Sequence, residues 1–481
     1  MDAEELSRPQ AKYFFYYPLV LAAAAVLLWI YPTDLITAVS STIGTVVSCI
    51  MMWEFLFTNQ VIRLSRVCAM GLVIGYAAGT LNSWLTIPRG EYPLAAAVGQ
   101  TVPELANGVA AALMGCAVLL LLGELLEKPV LTRAQPLVIT GGIKRLILIN
   151  SAILAIAFAA GEIHQGGMKA AGAGHVGILA IFLSFLLDPT AILAIIALLL
   201  EKNRVQQALL GAIVIFLLLL QLTQGRMNLV YSSLVMIGLA RYAGYRWSDL
   251  SIGRIILIGA AIAFALTGLV IYQAFRLAGN STSGQSISAE ANTVQRWAAE
   301  GRAWQIASNS SVQNLERRTL VVTFLSNLLY QTRTKSPAYG ADVLLQSEIA
   351  VPSLIYKNKP TMQEEDLASE TFGEFYPDEP NSLFTLGAVD FGIWGVMIYP
   401  IAVLLFVSAF LRLAKKYLTY EMSVYGIALF LITAMMAELE LTNYLIDMRN
   451  LVTFAFFLYL VSNLPSFRGN REEMKGALAP R

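Results

Sequence analysis

Arg276-Leu277-Ala278-Gly279-Asn280-Ser281-Thr282-Ser283-Gly284 opens, and Asn381-Ser382-Leu383-Phe384-Thr385-Leu386 closes, a polar stretch of about 110 residues. It is rich in Asn, Ser, Arg and carboxylates, and hydrocarbon could not accept it, because each charged or unpaired polar group there costs several kcal/mol. The sequence on both sides is apolar. The stretch therefore divides the chain into an N-terminal transmembrane bundle (1–275), a large insert (276–386), further transmembrane helices (387–464) and a tail (465–481).

Composition requires the membrane. Of 481 residues 57% are hydrophobic and only 14% charged, and the mean hydropathy is +0.63; so few charges could not cover a water-soluble surface of this size. A net charge of +1 excludes a strong field for nucleic acid, so any basic character that matters is local. Cys49, Cys68 and Cys116 lie inside apolar runs, where neither a disulfide framework nor a metal site places them, and they read as packing residues. No cleavable signal pattern precedes the first apolar run, which is expected to stay in the mature chain.

A helix needs about 20 apolar residues to cross about 30 Å of hydrocarbon. That ruler gives spans at 14–31, 35–56, 64–86, 103–124, 145–161, 174–200, 208–222, 227–241, 254–275, 387–411, 423–441 and 448–464, about twelve in all, and predicts an all-α polytopic membrane protein. The segment 174–200 carries Asp188-Pro189 in its middle and reads as one kinked helix or a short hairpin. Charge favours one helix. Arg63, Arg66, Lys128, Arg133, Lys144, Arg145, Lys202 and Arg204 then share a side, with few cations opposite, as cytoplasmic loops require. Both termini are expected in the cytoplasm and the insert outside.

The spans 208–222 and 227–241 read as unusually short and meet at Gln224-Gly225-Arg226, a place where charge is turned toward a cavity or snorkels to headgroups. Within the insert, 288–308 has helical character, Gln313–Tyr330 has helical period with Arg317 and Arg318 near its start, and Gly340–Leu354 suits a helix ended by Pro352. The second of these is expected on the membrane surface or buried against the bundle. Glu364, Glu365, Asp366, Glu370, Glu374, Asp378 and Glu379 form an acidic run that reads as a solvated face, with a divalent-metal role as the alternative.

Charge near the outer membrane face gathers around this insert: Arg226, Arg276, Arg317, Arg318, Arg333, Lys335, Lys357 and Lys359, with Glu438, Glu440, Asp447 and Arg449 at the turn between the last two spans. Charges at that depth are retained where they pair or meet a polar ligand, and guanidinium groups match phosphate oxygens through paired hydrogen bonds. Glu438 or Glu440 with Arg449 could equally close a helical hairpin as an internal salt bridge. There is no G-x-S-x-G, H-E-x-x-H or Walker loop, so hydrolytic and nucleotide-driven readings lose their usual support.

The chain resembles the bacterial O-antigen and exopolysaccharide repeat-unit polymerases, the Wzy-like family. The likeness rests on many spans with one large outward loop late in the chain and on local patterns. These are Val351-Pro352-Ser353-Leu354-Ile355-Tyr356-Lys357-Asn358-Lys359-Pro360, Asn381-Ser382 followed by Gly387 and Phe391-Gly392-x-x-Gly395, and Gln224-Gly225-Arg226. The sister ligases use a histidine in the large loop, whereas His164 and His175 both lie outside this insert.

The resemblance implies a membrane glycosyltransferase of the C type in the bacterial inner membrane, with the insert in the periplasm. It would work without metal or cofactor on undecaprenyl-diphosphate-linked oligosaccharide, with a chain-length regulator as partner. The growing chain would pass from its carrier to the non-reducing end of a new repeat unit. On that reading Arg226, Arg317, Arg318 and Arg333 bind diphosphate; Glu374 or Asp390, with Glu438 behind them, is the base; Lys357, Lys359, Asn381 and Arg449 contact substrate. The competing functions are an O-antigen ligase and a transporter or flippase of lipid-linked sugars. A transporter would be expected to show paired halves with broken helices, and no such repeat is visible in the sequence.

Overall fold

The computed structural model describes residues 15–59, 61–87, 92–133, 136–159, 178–224, 226–245, 277, 287–302, 305–306, 321–352, 355–360, 362–374 and 381–463. Among these the chain is helical, with one small antiparallel ladder pairing Val61 with Thr132 and Ile62 with Leu131. Five helices are long and apolar enough to cross a membrane, and three shorter apolar helices accompany them.

In chain order, Tyr16–Ile30 (α1) is followed by Asp34–Trp53 (α2), which ends in a π-helical turn at Glu54–Thr58. Leu64–Val73 (α3) passes through a second π-helical turn at Ile74–Ala78 into Gly79–Thr86 (α4). The short Leu94–Ala97 (α5) leads to Val102–Leu126 (α6). Gly141–Ala159 (α7), Ile178–Leu200 (α8), Arg204–Gln224 (α9) and Arg226–Tyr242 (α10) follow. The insert contributes Ile287–Ala299 (α11), Val321–Gln331 (α12), Ala341–Ala350 (α13) and Glu364–Phe372 (α14). Leu383–Tyr417 (α15), Tyr420–Met435 (α16) and Leu441–Asn463 (α17) complete the bundle.

The core is built on α6, which packs against α1, α3, α12 and α15. A helix apolar around its whole circumference belongs inside, and this one is studded with small residues that let neighbours come close. Its start is fixed by a capping box in which Thr101 accepts from the Glu104 N–H while Glu104 accepts from Thr101. At Gly108 an added Cβ would come within 1.9 Å of Ser326 Oγ. Helix α12 therefore lies directly on α6, with Val321, Val322, Phe324, Leu325 and Leu328 buried. The expectation for this helix resolves to burial against the bundle rather than to the membrane surface.

Helix α8 settles the question at Pro189. It is one helix with the proline inside it. Proline has no N–H to offer the carbonyl four residues earlier, and here the Tyr425 hydroxyl donates to that carbonyl, Phe185 O, at 2.8 Å. Helix α9 corrects the picture of paired short spans: it runs 21 residues, because Arg204, Gln206 and Gln207 prolong it past the apolar run. The span expected at 254–275 and the tail 465–481 lie outside the described residues.

The insert also ends earlier than its composition indicates. Helix α15 begins at Leu383, with Ser382 accepting from the Phe384 and Thr385 N–H groups as its cap. It then breaks at Phe391 (φ −139°, ψ 15°) and Gly392 (φ 59°, ψ −141°). That second conformation is open essentially to glycine alone. The break folds the helix back on itself, so that a Cβ on Gly395 would lie 1.7 Å from Gly387 O. The pattern Asn381-Ser382, Gly387, Phe391-Gly392-x-x-Gly395 is thus the physical recipe for a capped, sharply kinked helix.

Candidate functional site

The kink of α15 and the ends of α1, α6 and α12 meet around a cleft of about 360 Å³. Arg333, just past the end of α12, lines it with Thr332 and Pro337; Phe391, Gly392 and Trp394 come from the kink; Trp29 comes from the end of α1 and Asn107 from the start of α6. The Trp29 indole N–H donates to Asn107 Oδ1 at 3.2 Å, which fixes the ring. Trp29, Phe391 and Trp394 all keep exposed ring surface. An exposed guanidinium beside amphipathic aromatic faces, at the ends of membrane helices, suits a ligand with an anionic group and apolar or sugar-ring faces.

Glu374 belongs to the same neighbourhood. Gln331 ends α12, two residues before Arg333, and its amide donates to the Glu374 carboxylate. Lys335 donates to Phe372 O at the C-terminal end of α14, where a cation complements the helix dipole. These two bonds join α14 to the end of α12, so Glu374 and Arg333 are carried by one joint.

Helix α13 is clamped at both ends by charge. At its start the Asp390 carboxylate accepts from the N–H groups of Gly340 at 2.9 Å, Asp342 at 3.0 Å and Val343 at 3.1 Å. Those are helix-start donors with no partner inside the helix. At its end Lys359 Nζ donates to Ile349 O at 2.6 Å and Arg449 Nη1 to Ala350 O at 2.7 Å. Burial, and then the Arg449 charge, draw Lys359 below the ordinary lysine value.

The expected site residues therefore separate into three groups. Arg333 lines the cleft, and Glu374 is held beside it through Gln331 at the end of α12. Asp390 lies at its back but is fully buried and committed to three backbone donors, which corrects its assignment as a base: a carboxylate so engaged does not face a substrate hydroxyl. Lys359 and Arg449 dock α13, and Asn381 donates to Glu440 Oε1 at 2.7 Å; all three build the insert–bundle joint. Arg449 also donates to Asn450 Oδ1 at 3.1 Å and 3.0 Å, so its bonds go to α13 and Asn450 rather than to Glu438 or Glu440. Lys357 is exposed beyond α13, and Glu438 is half-buried in the turn after α16. Arg226 begins α10; Arg317 and Arg318 lie outside the described residues.

The acidic run is corrected as well. Glu364 is wholly buried and Glu365 nearly so, on the first turn of α14, and they face the equally buried Asp342 of α13 rather than water. Burial first, and then the Asp390 charge, push Asp342 up to about 8; burial and the Asp342 charge hold Glu364 well above the carboxylate range; burial raises Glu365. Sequence reasoning missed Asp342, Trp29, Asn107 and Trp394. The Asp342/Gln346 spacing on the same face as Leu345 was the available signal for the first.

No family model matches this chain, and no curated protein or solved structure matches it either.

Proposed function

We propose that this protein is a polymerase of lipid-linked oligosaccharide repeat units, transferring a growing glycan from undecaprenyl diphosphate to the non-reducing end of a new unit at the outer face of the bacterial inner membrane. The observation that carries the reading is Arg333 on the wall of an aromatic-lined cleft, at the level where α1 ends and α6 begins. A lipid-borne diphosphate would lie at that depth, its glycan outside and its isoprenoid along the bundle. Transfer joins an acceptor hydroxyl oxygen to the anomeric carbon while the bond from that carbon to the diphosphate breaks. The departing diphosphate gains charge that Arg333 stabilises, and Glu374 takes the hydroxyl proton. Arg226, Arg317 and Arg318 are the further cations proposed for the diphosphate.

The test is Arg333→Ala in a host making the polysaccharide, with Arg333→Lys beside it. Chain polymerisation is expected to fall by about a hundredfold for alanine, with partial recovery for lysine, while membrane levels of the protein stay unchanged. Lipid-linked single repeats should accumulate on the outer face. Persistence of long chains would overturn the assignment, and repeats trapped on the cytoplasmic face would instead identify a flippase.

A further inference from the structure

Between the insert and the bundle lies a buried patch made almost wholly of hydrogen-bond acceptors. Asp342 and Glu364 have no exposed surface, and Glu365 almost none. Both carboxylate oxygens of Glu364, Oδ2 of Asp342, Oε2 of Glu365 and Oδ1 of Asn381 are buried without a hydrogen-bond partner. Leaving one buried polar atom unsatisfied costs about 1–3 kcal/mol, and more where it is charged. What the patch lacks is donors.

The surrounding elements supply too few. From α13, Gln346 donates to Asp342 Oδ1 at 3.3 Å, yet its own oxygen is already taken by Thr442 of α17. From α15, Asp390 adds a third acid beside Asp342, while the Thr385 hydroxyl tempers the rise of Glu364 but donates to Ser382 O at 2.9 Å; ahead of α15, Asn381 tempers Glu365 in the same way and donates to Glu440. Glu440, ahead of α17, adds a fourth near both Asp342 and Glu364. The phenols of Tyr76 and Tyr399 also feel these charges, and Tyr76 shares its hydrogen bond with Ser382. Lys359 and Arg449 sit at the far end of α13, and Lys335 is bonded at the far end of α14. Among the described residues no group of three or more His, Cys, Asp or Glu is arranged to hold a metal ion.

We propose that this carboxyl cluster is a proton-binding site whose bound protons latch helices α13 and α14 of the insert onto the bundle. A protonated carboxyl becomes a donor while keeping acceptor capacity, so each proton both removes a charge and supplies a missing hydrogen bond. The direction follows from the raised proton affinities of Asp342, Glu364 and Glu365. The docked state binds protons more tightly than the undocked one, so docking is strongest below the ordinary carboxylate range and weakens as pH rises toward about 8. Because α14 leads directly to Glu374 and is tied to the end of α12, releasing it would loosen one wall of the cleft. The latch does not depend on what the cleft binds.

The test is hydrogen exchange on the full-length protein in detergent, corrected for the intrinsic pH dependence of exchange, from about pH 5.5 to about pH 9. Peptides covering 341–350 and 364–372 should lose about tenfold in protection across that range, while α16 serves as a constant reference. Glu364→Gln, and separately Asp342→Asn, should each flatten the dependence to about twofold or less. Unchanged protection in the natural chain, or an equal slope in both variants, would overturn the proposal. So would restoration of protection at high pH by about 1 mM calcium or magnesium, which would make the ligand a metal cation.

Discussion

Two buried carboxylates, Glu127 and Asp390, perform the same local task at opposite ends of the bundle with opposite surroundings. Glu127, just past the end of α6, accepts from the Leu64 N–H at 2.8 Å and the Ser65 N–H at 2.9 Å, the start of α3. Asp390 does the same for the start of α13. Asn107 in the cleft and Glu127 are separated by 20 residues along or just beyond α6, about 30 Å at 1.5 Å per residue. Around Glu127 the neighbouring acids are paired with cations: Arg63 Nε donates to the Glu127 backbone O at 3.1 Å and its Nη1 pairs with Glu124 at 2.5 Å, while Arg66 pairs with Glu54. Around Asp390 the neighbours are more acids. The same cap is thus a fixed joint at one end and a conditional one at the other, and the difference lies in the neighbours rather than in the capping bonds.

That contrast can be broken by measurement. The largest effect is expected for Glu127→Ala, which removes two capping bonds and leaves the buried Leu64 and Ser65 N–H groups unpaired; thermal unfolding in detergent should show a loss of about 3 kcal/mol. Next comes Gly392→Ala, which forces a side chain onto a φ of +59° and should cost about 2 kcal/mol together with most of the polymerisation proposed for the cleft. Asp390→Asn keeps one acceptor oxygen and relieves repulsion with Asp342, so near-neutral pH should show a loss of only about 1 kcal/mol, shrinking further as pH rises. If it costs as much as Glu127→Gln, the two ends are not different in kind. The smallest effect is expected for Arg449→Met, about 0.5–1 kcal/mol, seen as faster exchange confined to the end of α13.

Much of this architecture was legible because the membrane imposes a ruler on sequence. Apolar runs gave the helices and charge asymmetry chose one helix over a hairpin at Pro189, but the start of α15 at Leu383 and its break at Gly392 were not foreseen, because a span counted from hydropathy begins only at Gly387. The candidate site was only half legible. Arg333 stood out as a charge near an expected membrane edge and Glu374 only through the family resemblance, but Trp29 and Asn107 reach the cleft from spans more than 200 residues earlier in the chain, and no local pattern announces that meeting. Glu364 and Glu365 were misread for a related reason. An acidic run is ordinarily solvated, and only docking of α14 against α13 and α15 turns its first turn inward. Asp390 misled because a carboxylate at a glycine-rich bend looks the same whether it meets a substrate or a helix end.

The bare contact between Gly108 and Ser326 bears on how this protein can be taken apart. An inserted outer segment is often treated as a module, to be expressed alone or exchanged between related chains. Here its second described helix sits backbone-close on the innermost helix of the bundle, with no side chain of α6 between them. Cut free, α12 would present the buried faces of Val321, Phe324, Leu325 and Leu328 to water, and α6 would be left with a trench no lipid chain is shaped to fill. Exchange of the outer segment should therefore succeed only at junctions that leave α12 with its own bundle, dividing the chain after Gln331 rather than at the last apolar residue before the insert.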